Sequence, residues 1–353
     1  MAVNLATKYS DKIATAFTHA SYVRQNVSNT YSFEGAKTIK VYTPVTVEEN
    51  DYKRSGSNRY GQPVEMEDTV QEMTLTQDKS FSLTIDKGNN MDQMNVKAAG
   101  EMLKLQLREK STPKADKYAL HQFATYAGTV VGGAKPTKST IITMLADAAQ
   151  ALDDAQVPED GRVAYLSAEL VKFVRISDEF IGIDPLGQKS ISRGEVGEIF
   201  GMKVVKIPGS YMPTGAYFII THKSAVLMPY KIQDTKIHKD PPGISGDLLE
   251  GRHYYDAFVL GAKAKGVYAL VDTSAKLAAP TVEIATHSGT ITQADASQIY
   301  YTLDGSDPRY SDSRVLIATG GKVTTETGQV LRAVAFGPDG KFTSDVAEDK
   351  DDG

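Results

Sequence analysis

Cysteine and tryptophan are both absent from this chain of 353 residues. Without cysteine, disulfides and thiolate metal sites are excluded, and without tryptophan the commonest sugar-stacking side chain is missing. No apolar run approaches the length of a membrane span. The first residues, MAVNLATKYSDKIATAF, have neither the apolar stretch nor the basic cluster of a secretory signal. We therefore expect no membrane contact and no export, which disfavours a secreted polysaccharide hydrolase.

A basic excess is also missing. The chain has 39 Lys and Arg against 44 Asp and Glu, a formal charge of −5, whereas a dedicated nucleic-acid binder normally carries surplus positive charge. With 41% hydrophobic and 24% charged residues, the composition is that of an ordinary globular protein. The length is sufficient for two or three domains.

Motifs that carry chemistry are not found. The 6 histidines are dispersed, with no HExxH pair, and there is no GxSxG nucleophile motif. The stretch GGAKPTKST (132–140) differs from a phosphate-binding loop because Thr137 stands where a glycine must precede Lys138. We interpret it as a hinge and helix cap that follows a helix rather than a strand. We predict no catalytic, cofactor-binding or metal-binding residue, and no enzymatic activity.

A long β-ribbon is predicted for residues 31–90. The stretches KTIKVYTPVTV (37–47) and VQEMTLTQDKSFSLTID (70–86) alternate with a period of two. The residues expected to form its apolar contacts are Ile39, Val41, Phe81 and Leu83. Because a two-stranded ribbon is marginal in water and leaves backbone edges unpaired, we expect it to lie on a neighbouring subunit.

The ribbon tip carries the basic residues Lys53, Arg54 and Arg59, interleaved with Tyr52 and Tyr60. Nucleic-acid contact is one interpretation of this pattern. The favoured interpretation is a solvated tip whose cations pair with acidic neighbours.

Helices and strands then mix without a regular βαβ rhythm, which indicates an α+β fold. Helical spacing begins at Met91, and Thr112-Pro113 is predicted to restart the helix as N-cap and first turn. Residues 139–156 form a predicted amphipathic helix, and the strand VAYLS (163–167) leads to a helix capped by Ser167. Residues 1–30 are polar and predict an extended arm.

The sequence pattern changes near the C-terminus. TSAKLAAPTVE is predicted to be a linker, and residues 281–346 show short strands divided by Gly, Asp and Ser turns, typical of a small β-sandwich. Within it, Asp304-Gly305-Ser306-Asp307 predicts a turn rather than a calcium loop. The acidic tail AEDKDDG is predicted to be disordered.

The order of arm, ribbon, long helix and mixed region resembles the major capsid protein of tailed double-stranded-DNA phages. VAYLSAELVKFVRI, GEVGEIFGMKVVKIPG and HYYDAFVLGAKAKGVYAL are similar to stretches of that family, and the resemblance covers roughly residues 1–275. In the family these parts are the N-arm, the E-loop, the spine helix of the peripheral domain and the axial domain.

A second resemblance concerns the C-terminal region. IYYTLDGSDP (299–308) and VLRAVAFGPDGKFTS (330–344) resemble the immunoglobulin-like C-terminal module of chitobiase/β-hexosaminidase-type proteins. The implied fold is therefore an α+β tailed-phage capsid fold followed by a small all-β immunoglobulin-like sandwich. The implied parts are an arm (1–30), an E-loop ribbon (31–90), a spine helix and peripheral domain (91–138), an axial domain (139–235), closing strands (236–275), the sandwich (278–348) and the tail (349–353).

The resemblances imply a shell protein that assembles into hexamers and pentamers of an icosahedral head. Its partners would be other copies of itself, a portal, a separate scaffold protein and enclosed double-stranded DNA held by non-specific contact. It would occupy the virion, and the host cytoplasm during assembly. The module would lie on the outer surface, where cell-surface glycans are possible ligands, and truncation after Val271 is expected to leave shells able to form.

Two alternatives stay open at this stage. One is a carbohydrate-binding or adhesive protein, or an accessory protein of a glycosidase. The other is a bacterial nanocompartment shell protein, which shares the capsid fold.

Overall fold

The computed structural model describes residues 21–31, 33, 36–47, 49–63, 65–66, 68–93, 97–177, 197–338 and 340–353. Most of the predicted arm, and Met94 of the predicted helix, lie outside the described residues.

Both helices and strands occur along most of the chain, with strands alone towards the C-terminus. The helices are α1 (Lys87–Asp92), α2 (Ala99–Gln106), α3 (Thr112–Thr125), α4 (Ile141–Asp154) and α5 (Ala168–Ile176), with a π turn at Leu107–Ser111. The strands are β1 (Thr38–Pro44), β2 (Asp68–Thr74), β3 (Gln77–Asp86), β4 (Thr129–Gly133), β5 (Arg162–Ser167), β6 (Glu198–Ile199), β7 (Met202–Ile207), β8 (Ala216–His222), β9 (Val226–Leu227), β10 (Tyr230–Lys239), β11 (Gly246–Tyr255), β12 (Phe258–Val259), β13 (Val267–Asp272), β14 (Thr281–Ala285), β15 (Ser288–Thr292), β16 (Gln298–Thr302), β17 (Val315–Ile317), β18 (Gly321–Thr324), β19 (Val330–Phe336) and β20 (Ala347–Lys350).

A mixed six-stranded sheet forms the centre, in the order β4-β13-β8-β5-β7-β6. The pairs β4–β13 and β5–β7 are parallel, and the other neighbours are antiparallel. Because side chains alternate along a strand, Val163 and Tyr165 face the core shared with α3, whereas Ala164 and Leu166 face the core shared with α4 and α5. This arrangement confirms the α+β class.

Several local predictions are confirmed. The inward residues of α4 are buried, as expected for an amphipathic helix: Ile141, Leu145, Ala148 and Leu152. The Ser167 hydroxyl accepts a hydrogen bond from the backbone N–H of Leu170 at 3.3 Å, which is the predicted N-cap of α5. A turn also forms at Gly305, where φ is +72°, a value that glycine adopts without steric penalty.

The helical region differs from the prediction both at its start near Met91 and at Thr112-Pro113. Helix α1 ends at Asp92, and α2 begins only at Ala99, so the helix does not run on from Met91. Thr112 and Pro113 do not restart a helix either, since α2 continues through the π turn into α3 and the N–H of Thr112 donates to the carbonyl of Leu107. A proline within a helix lacks a donor and crowds the preceding turn, and the wider π turn accommodates both defects.

A second sheet has the order β10-β11-β3, and all its strands are antiparallel. Strand β3 was predicted as part of the ribbon, but it pairs with β11, where Phe81 lies opposite Gly251 and Leu83 opposite Leu249. The ribbon itself contains only β1 and β2. The predicted boundary after residue 235 falls inside β10.

The C-terminal region consists of two antiparallel sheets, β14-β15-β18 and β17-β16-β19-β20, which enclose a common apolar core. The predicted disordered tail is wrong, because β20 pairs with β19 and Asp351 beyond it is buried. Edge strands are often charged, so an acidic sequence is compatible with a strand at this position.

Two further predictions are wrong. A strand, β4, does precede the stretch GGAKPTKST, and within that stretch the backbone N–H of Thr137 donates to the hydroxyl of Thr140 at 2.9 Å. The predicted linker is also bonded into the fold, because the Phe342 N–H donates to the Ala275 carbonyl at 2.7 Å and the Leu277 N–H donates to the Phe342 carbonyl at 3.2 Å.

We predict that Gly128→Ala destabilises the fold by about 1–3 kcal/mol, because a Cβ at this position would meet the backbone carbonyl of Ala264. The matched control is Gly100→Ala in α2, where a Cβ meets no atom within 4 Å, and we expect a gain of about 0.5–1 kcal/mol there. Urea unfolding measures both changes. Equal midpoints for Gly128→Ala and the unmutated protein would contradict the close approach.

Candidate assembly surfaces

The base of the ribbon is anchored in its own protomer. Strands β1 and β2 pair in register from Thr38–Thr74 to Pro44–Asp68. Ile39 and Val41 are partly buried against a small core that contains Met73. The other members of that core are Phe33, Leu75, Leu227 and Leu260. Much of the apolar surface predicted for a neighbour at Ile39 and Val41 is therefore already in contact within the chain.

The outer part of the ribbon is exposed. Tyr42, Val47 and Met66 are 64%, 65% and 68% exposed, and Tyr60 is 84% exposed. At the tip, the Tyr52 and Tyr60 rings meet edge to face at 5.0 Å. Apolar side chains concentrated on one projecting element are typical of a surface that another molecule covers.

The predicted basic residues all lie at this tip and are exposed. The Lys53 N–H donates to the Arg59 carbonyl at 3.0 Å, and the Arg59 Nε donates to the Gly56 carbonyl at 3.2 Å. Among the residues that the structure describes, Lys53, Arg54 and Arg59 have no carboxylate within ion-pair distance. The predicted pairing with acidic neighbours is therefore not observed in this part of the chain.

Phe81 and Leu83 lie away from the ribbon. The Phe81 ring is partly buried beside the core formed by Ile85, Leu103 and Leu249, and it stacks on the His253 ring at a centroid distance of 6.1 Å. Leu83 remains 37% exposed on β3. The structure thus separates the predicted assembly residues into a ribbon pair, a tip trio and a pair on the second sheet.

A buried carboxylate fixes the end of the ribbon to helix α3. Asp256 accepts hydrogen bonds from the Thr76 N–H at 2.7 Å and from the Tyr118 hydroxyl at 2.8 Å. Burial raises the pKa of Tyr118, and the neighbouring Asp256 carboxylate raises it further. The Gln71 side chain adds bonds of 2.8 Å to the Val259 carbonyl and from the Gly261 N–H.

The loop at residues 304–314, which we call the junction loop, joins the C-terminal sheets to the end of α3. The Arg309 guanidinium donates to the carbonyls of Ala127 and Gly128, each at 3.0 Å. The Tyr310 hydroxyl donates to the Tyr126 carbonyl at 2.7 Å. A cation that bonds carbonyls just beyond a helix C-terminus also meets the negative end of the helix dipole.

The same loop reaches the ribbon. The Asp312 N–H donates to the Val70 carbonyl at 2.8 Å, and the Lys40 ammonium lies 2.9 Å from the Asp312 carboxylate. The base of the ribbon, the end of α3 and the C-terminal sheets are therefore joined at the junction loop.

An internal network holds the junction loop in shape. The Asp304 carboxylate accepts bonds from the Ser306 N–H at 3.0 Å and from the Ser313 hydroxyl at 2.6 Å. Burial alone would raise the pKa of Asp304, but the Ser306 and Ser313 bonds together hold it below its ordinary value.

The sequence predicted a turn at Asp304-Gly305-Ser306-Asp307 but gave no indication of the contacts that the loop makes. Tyr310 and Phe342 belong to the main core, alongside Phe123 of α3. Truncation after Val271 would remove both side chains from that core, whereas shell formation by the truncated chain stays a prediction. The only signal in the sequence is the pair Arg309-Tyr310 beside a turn, and such a pair does not indicate which distant backbone groups it will bond.

No group of three or more His, Asp or Glu residues within the described ranges is placed to hold a metal ion. None of the helices that the structure describes is both long enough and apolar enough to span a membrane.

No protein-family profile matches this chain, and no curated protein matches it. Solved structures do match. A chain from Mycobacterium phage Che8 has a TM-score of 0.65 at 18% identity, covering 76% of this chain and 98% of its own. A chain of the bacteriophage PhiM1 mature capsid has a TM-score of 0.60 at 11% identity, covering 77% of this chain and 92% of its own.

The capsid structure of Cyanophage P-SCSP1u gives a third match, with a TM-score of 0.59 at 14% identity, covering 76% of this chain and 93% of its own. At such identities the likeness is one of fold. The chain thus has the mixed α+β fold of these phage chains, two of which come from capsid structures, and the matches leave about a quarter of this chain uncovered.

We predict that Tyr310→Ala lowers the free energy of unfolding by about 3–5 kcal/mol, because a large ring leaves the main core. Tyr60→Ala is the control, since its ring is 84% exposed and surface substitutions change stability by about 0.5 kcal/mol or less. Thermal unfolding compares the two variants. Equal melting temperatures would show that the junction loop contributes nothing to the core.

Asp272, at the end of β13, makes hydrogen bonds that we expect to weaken in acid. It accepts bonds from the Ser274 hydroxyl at 2.6 Å and the Tyr217 hydroxyl at 2.6 Å. These bonds lower the pKa of Asp272 from 3.8 to about 2. The pKa of Asp272 is lower in the folded state than in the unfolded state. The ionised carboxylate therefore contributes its full stabilisation of the fold above pH ~4, and this contribution is lost as the pH falls towards ~2.

We therefore expect Asp272→Asn to be less stable than the unmutated protein at pH ~6, with the difference shrinking as pH falls through this window. Melting temperatures from pH ~6 down to pH ~2 measure it. A difference that stays constant across the window would contradict the assignment.

Proposed function

We propose that the chain is the major capsid protein of a tailed double-stranded-DNA phage, a structural protein without enzymatic activity. The observation that carries this proposal is the fold shared with phage capsid chains, whose lengths the match covers almost end to end. The projecting ribbon, exposed and apolar beyond its anchored base, supports it.

The ribbon is the proposed E-loop, which lies over the adjacent subunit. Tyr42, Val47, Tyr60 and Met66 would contribute apolar contact. At ~25 cal/mol per Å2, several hundred Å2 of contact would supply several kcal/mol before the costs of association. Each contact can remain weak, because many act together around every copy in a shell.

The residues predicted for assembly take different parts in this proposal. Ile39 and Val41 hold the base of the ribbon in the correct orientation, and Lys53, Arg54 and Arg59 present unpaired cations to acidic groups of the neighbour. Phe81 stiffens the second sheet, while the exposed part of Leu83 is a second contact surface. Glycines with positive φ at positions 56 and 61 allow the tip to adjust to different surroundings.

Copies would join head to tail, a heterologous contact that closes into rings, here hexamers and pentamers of an icosahedral head. The shell would enclose double-stranded DNA by non-specific contact, assisted by a separate scaffold protein and a portal. The protein would occupy the virion, after assembly in the host cytoplasm.

The C-terminal sheets form the proposed immunoglobulin-like module on the outer surface of the head. The part of this chain outside the structural matches supports an addition to the capsid fold. Val315 and Leu316 of β17 are 48% and 57% exposed, and this outer edge is where cell-surface glycans would meet the module.

Electron microscopy of the purified protein tests the proposal. We expect closed particles of capsid size for the unmutated chain. We expect the double variant Tyr42→Asp/Val47→Asp to keep its melting temperature but to form no particles, because a desolvated charge would replace each apolar contact.

The matched control is Val315→Asp/Leu316→Asp, which places the same charges on exposed module residues and should still assemble. Monodisperse monomers that bind chitin would favour the carbohydrate-binding alternative. Particles formed equally well by the ribbon variant would refute the role of the ribbon.

A further inference from the structure

A cavity of about 210 Å3 lies where the π turn of the spine helix meets β3, β11 and residues 21–24. The cationic side chains that line it are Arg24, Lys79, Lys110 and Lys114. Among the described residues no Asp or Glu lines it, although acidic residues outnumber basic ones in the whole chain. Positive charge is therefore concentrated at this cavity.

These lysines lack the carboxylate partners that several other cations of the chain have. Lys40 and Arg252 each lie within ion-pair distance of a carboxylate, at 2.9 Å and 2.6 Å. Within the described ranges, neither Lys79 nor Lys110 nor Lys114 has such a partner. Like charges without counter-charges repel one another, so an anion in the cavity would stabilise it.

A buried imidazole points to the same kind of ligand. His253 lines the cavity and is 6% exposed, and its Nε2 atom has no hydrogen-bond partner among the described residues. Burial lowers the pKa of His253. Leaving a buried polar atom unpaired is costly, and an anionic oxygen in the cavity would accept a hydrogen bond from an Nε2–H.

The π turn contributes a third feature of the cavity. The π turn places Ser111 and Thr112 on the cavity wall. Single π turns in α-helices frequently mark functional sites. Hydroxyl donors, a buried imidazole and surrounding cations together form the donor set that a tetrahedral oxyanion requires.

We propose that this cavity binds a phosphoryl group, and that its source is the phosphodiester backbone of the nucleic acid enclosed by the shell. Lys110 and Lys114 are exposed and one helical turn apart, so they lie on one face and can follow a backbone that passes the opening. The choice of nucleic acid rests on the proposed shell function. The anion site itself does not.

The first experiment titrates inorganic phosphate into the unassembled protein and follows binding by 31P NMR. We expect Lys110→Gln/Lys114→Gln to weaken binding by about tenfold or more, equivalent to about 1.4 kcal/mol. The control, Lys104→Gln/Lys172→Gln, removes the same charge from exposed helix positions outside the cavity and should bind like the unmutated protein. Equal weakening in both pairs would reduce the effect to general electrostatics and overturn the site.

A second variant separates binding from folding. His253→Phe keeps a ring beside Phe81 and removes the unpaired nitrogen. We expect an equal or higher melting temperature together with weaker phosphate binding, the opposite of what a merely structural histidine would show. Unchanged phosphate affinity would exclude the imidazole from the site and contradict the proposal.

The last arm identifies the source of the phosphoryl group. A short DNA duplex should bind the unassembled protein, and the Lys110→Gln/Lys114→Gln variant should reduce the slope of log affinity against log salt by about two. Binding of phosphate without binding of the duplex would overturn the nucleic-acid source. If the unmutated protein binds neither phosphate nor the duplex but still forms particles, the anion site is overturned and the shell function is unaffected.

Discussion

A two-stranded ribbon leaves the backbone hydrogen-bonding groups at its edges unpaired and much of its apolar surface exposed to water. The interpretation of the rest of the structure depends on this constraint. In the described part of the chain, no third strand joins the β1–β2 ladder, and a single bridge links Gln71 of β2 to Ser311 of the junction loop. Core contacts with Met73 and Leu75 hold their inner ends. Beyond this base the described apolar side chains are little covered, since Tyr42 and Val47 are mostly exposed. A second molecule is the natural completion of such an element.

The anchoring of the ribbon explains why the C-terminal sheets are part of the same mechanical unit. Arg309 and Tyr310 bind the carbonyls that follow helix α3, and Asp312 bonds the ribbon at Val70. An appendage that hung from a flexible linker would leave the ribbon base independent. Here the junction loop instead bonds the ribbon at Val70, and in the proposed shell this attachment would decide where a neighbouring subunit lies.

Local patterns were predictable from the sequence, but long-range pairing was not. The alternation of Ile39 and Val41 predicted a strand, and Ser167 predicted a helix start, because both signals lie within a few residues. The same alternation at Phe81 identified a strand without revealing its partner, β11, far along the chain. The burial of Tyr310 was not predicted, because packing in a distant core has no local signature in the sequence. His253 was missed since an unpaired nitrogen exists only in the folded arrangement.

Hydrogen–deuterium exchange, compared between the unassembled subunit and the closed particle, tests the central claim most directly. The account predicts that amides of residues 45–47, just beyond the end of β1, exchange rapidly in the subunit and become protected in the proposed particle. Amides of Met73 and Leu75, at the anchored base, should be protected in both states. Equal exchange of residues 45–47 in the two states would show that the ribbon gains nothing from a neighbour, and would contradict the account.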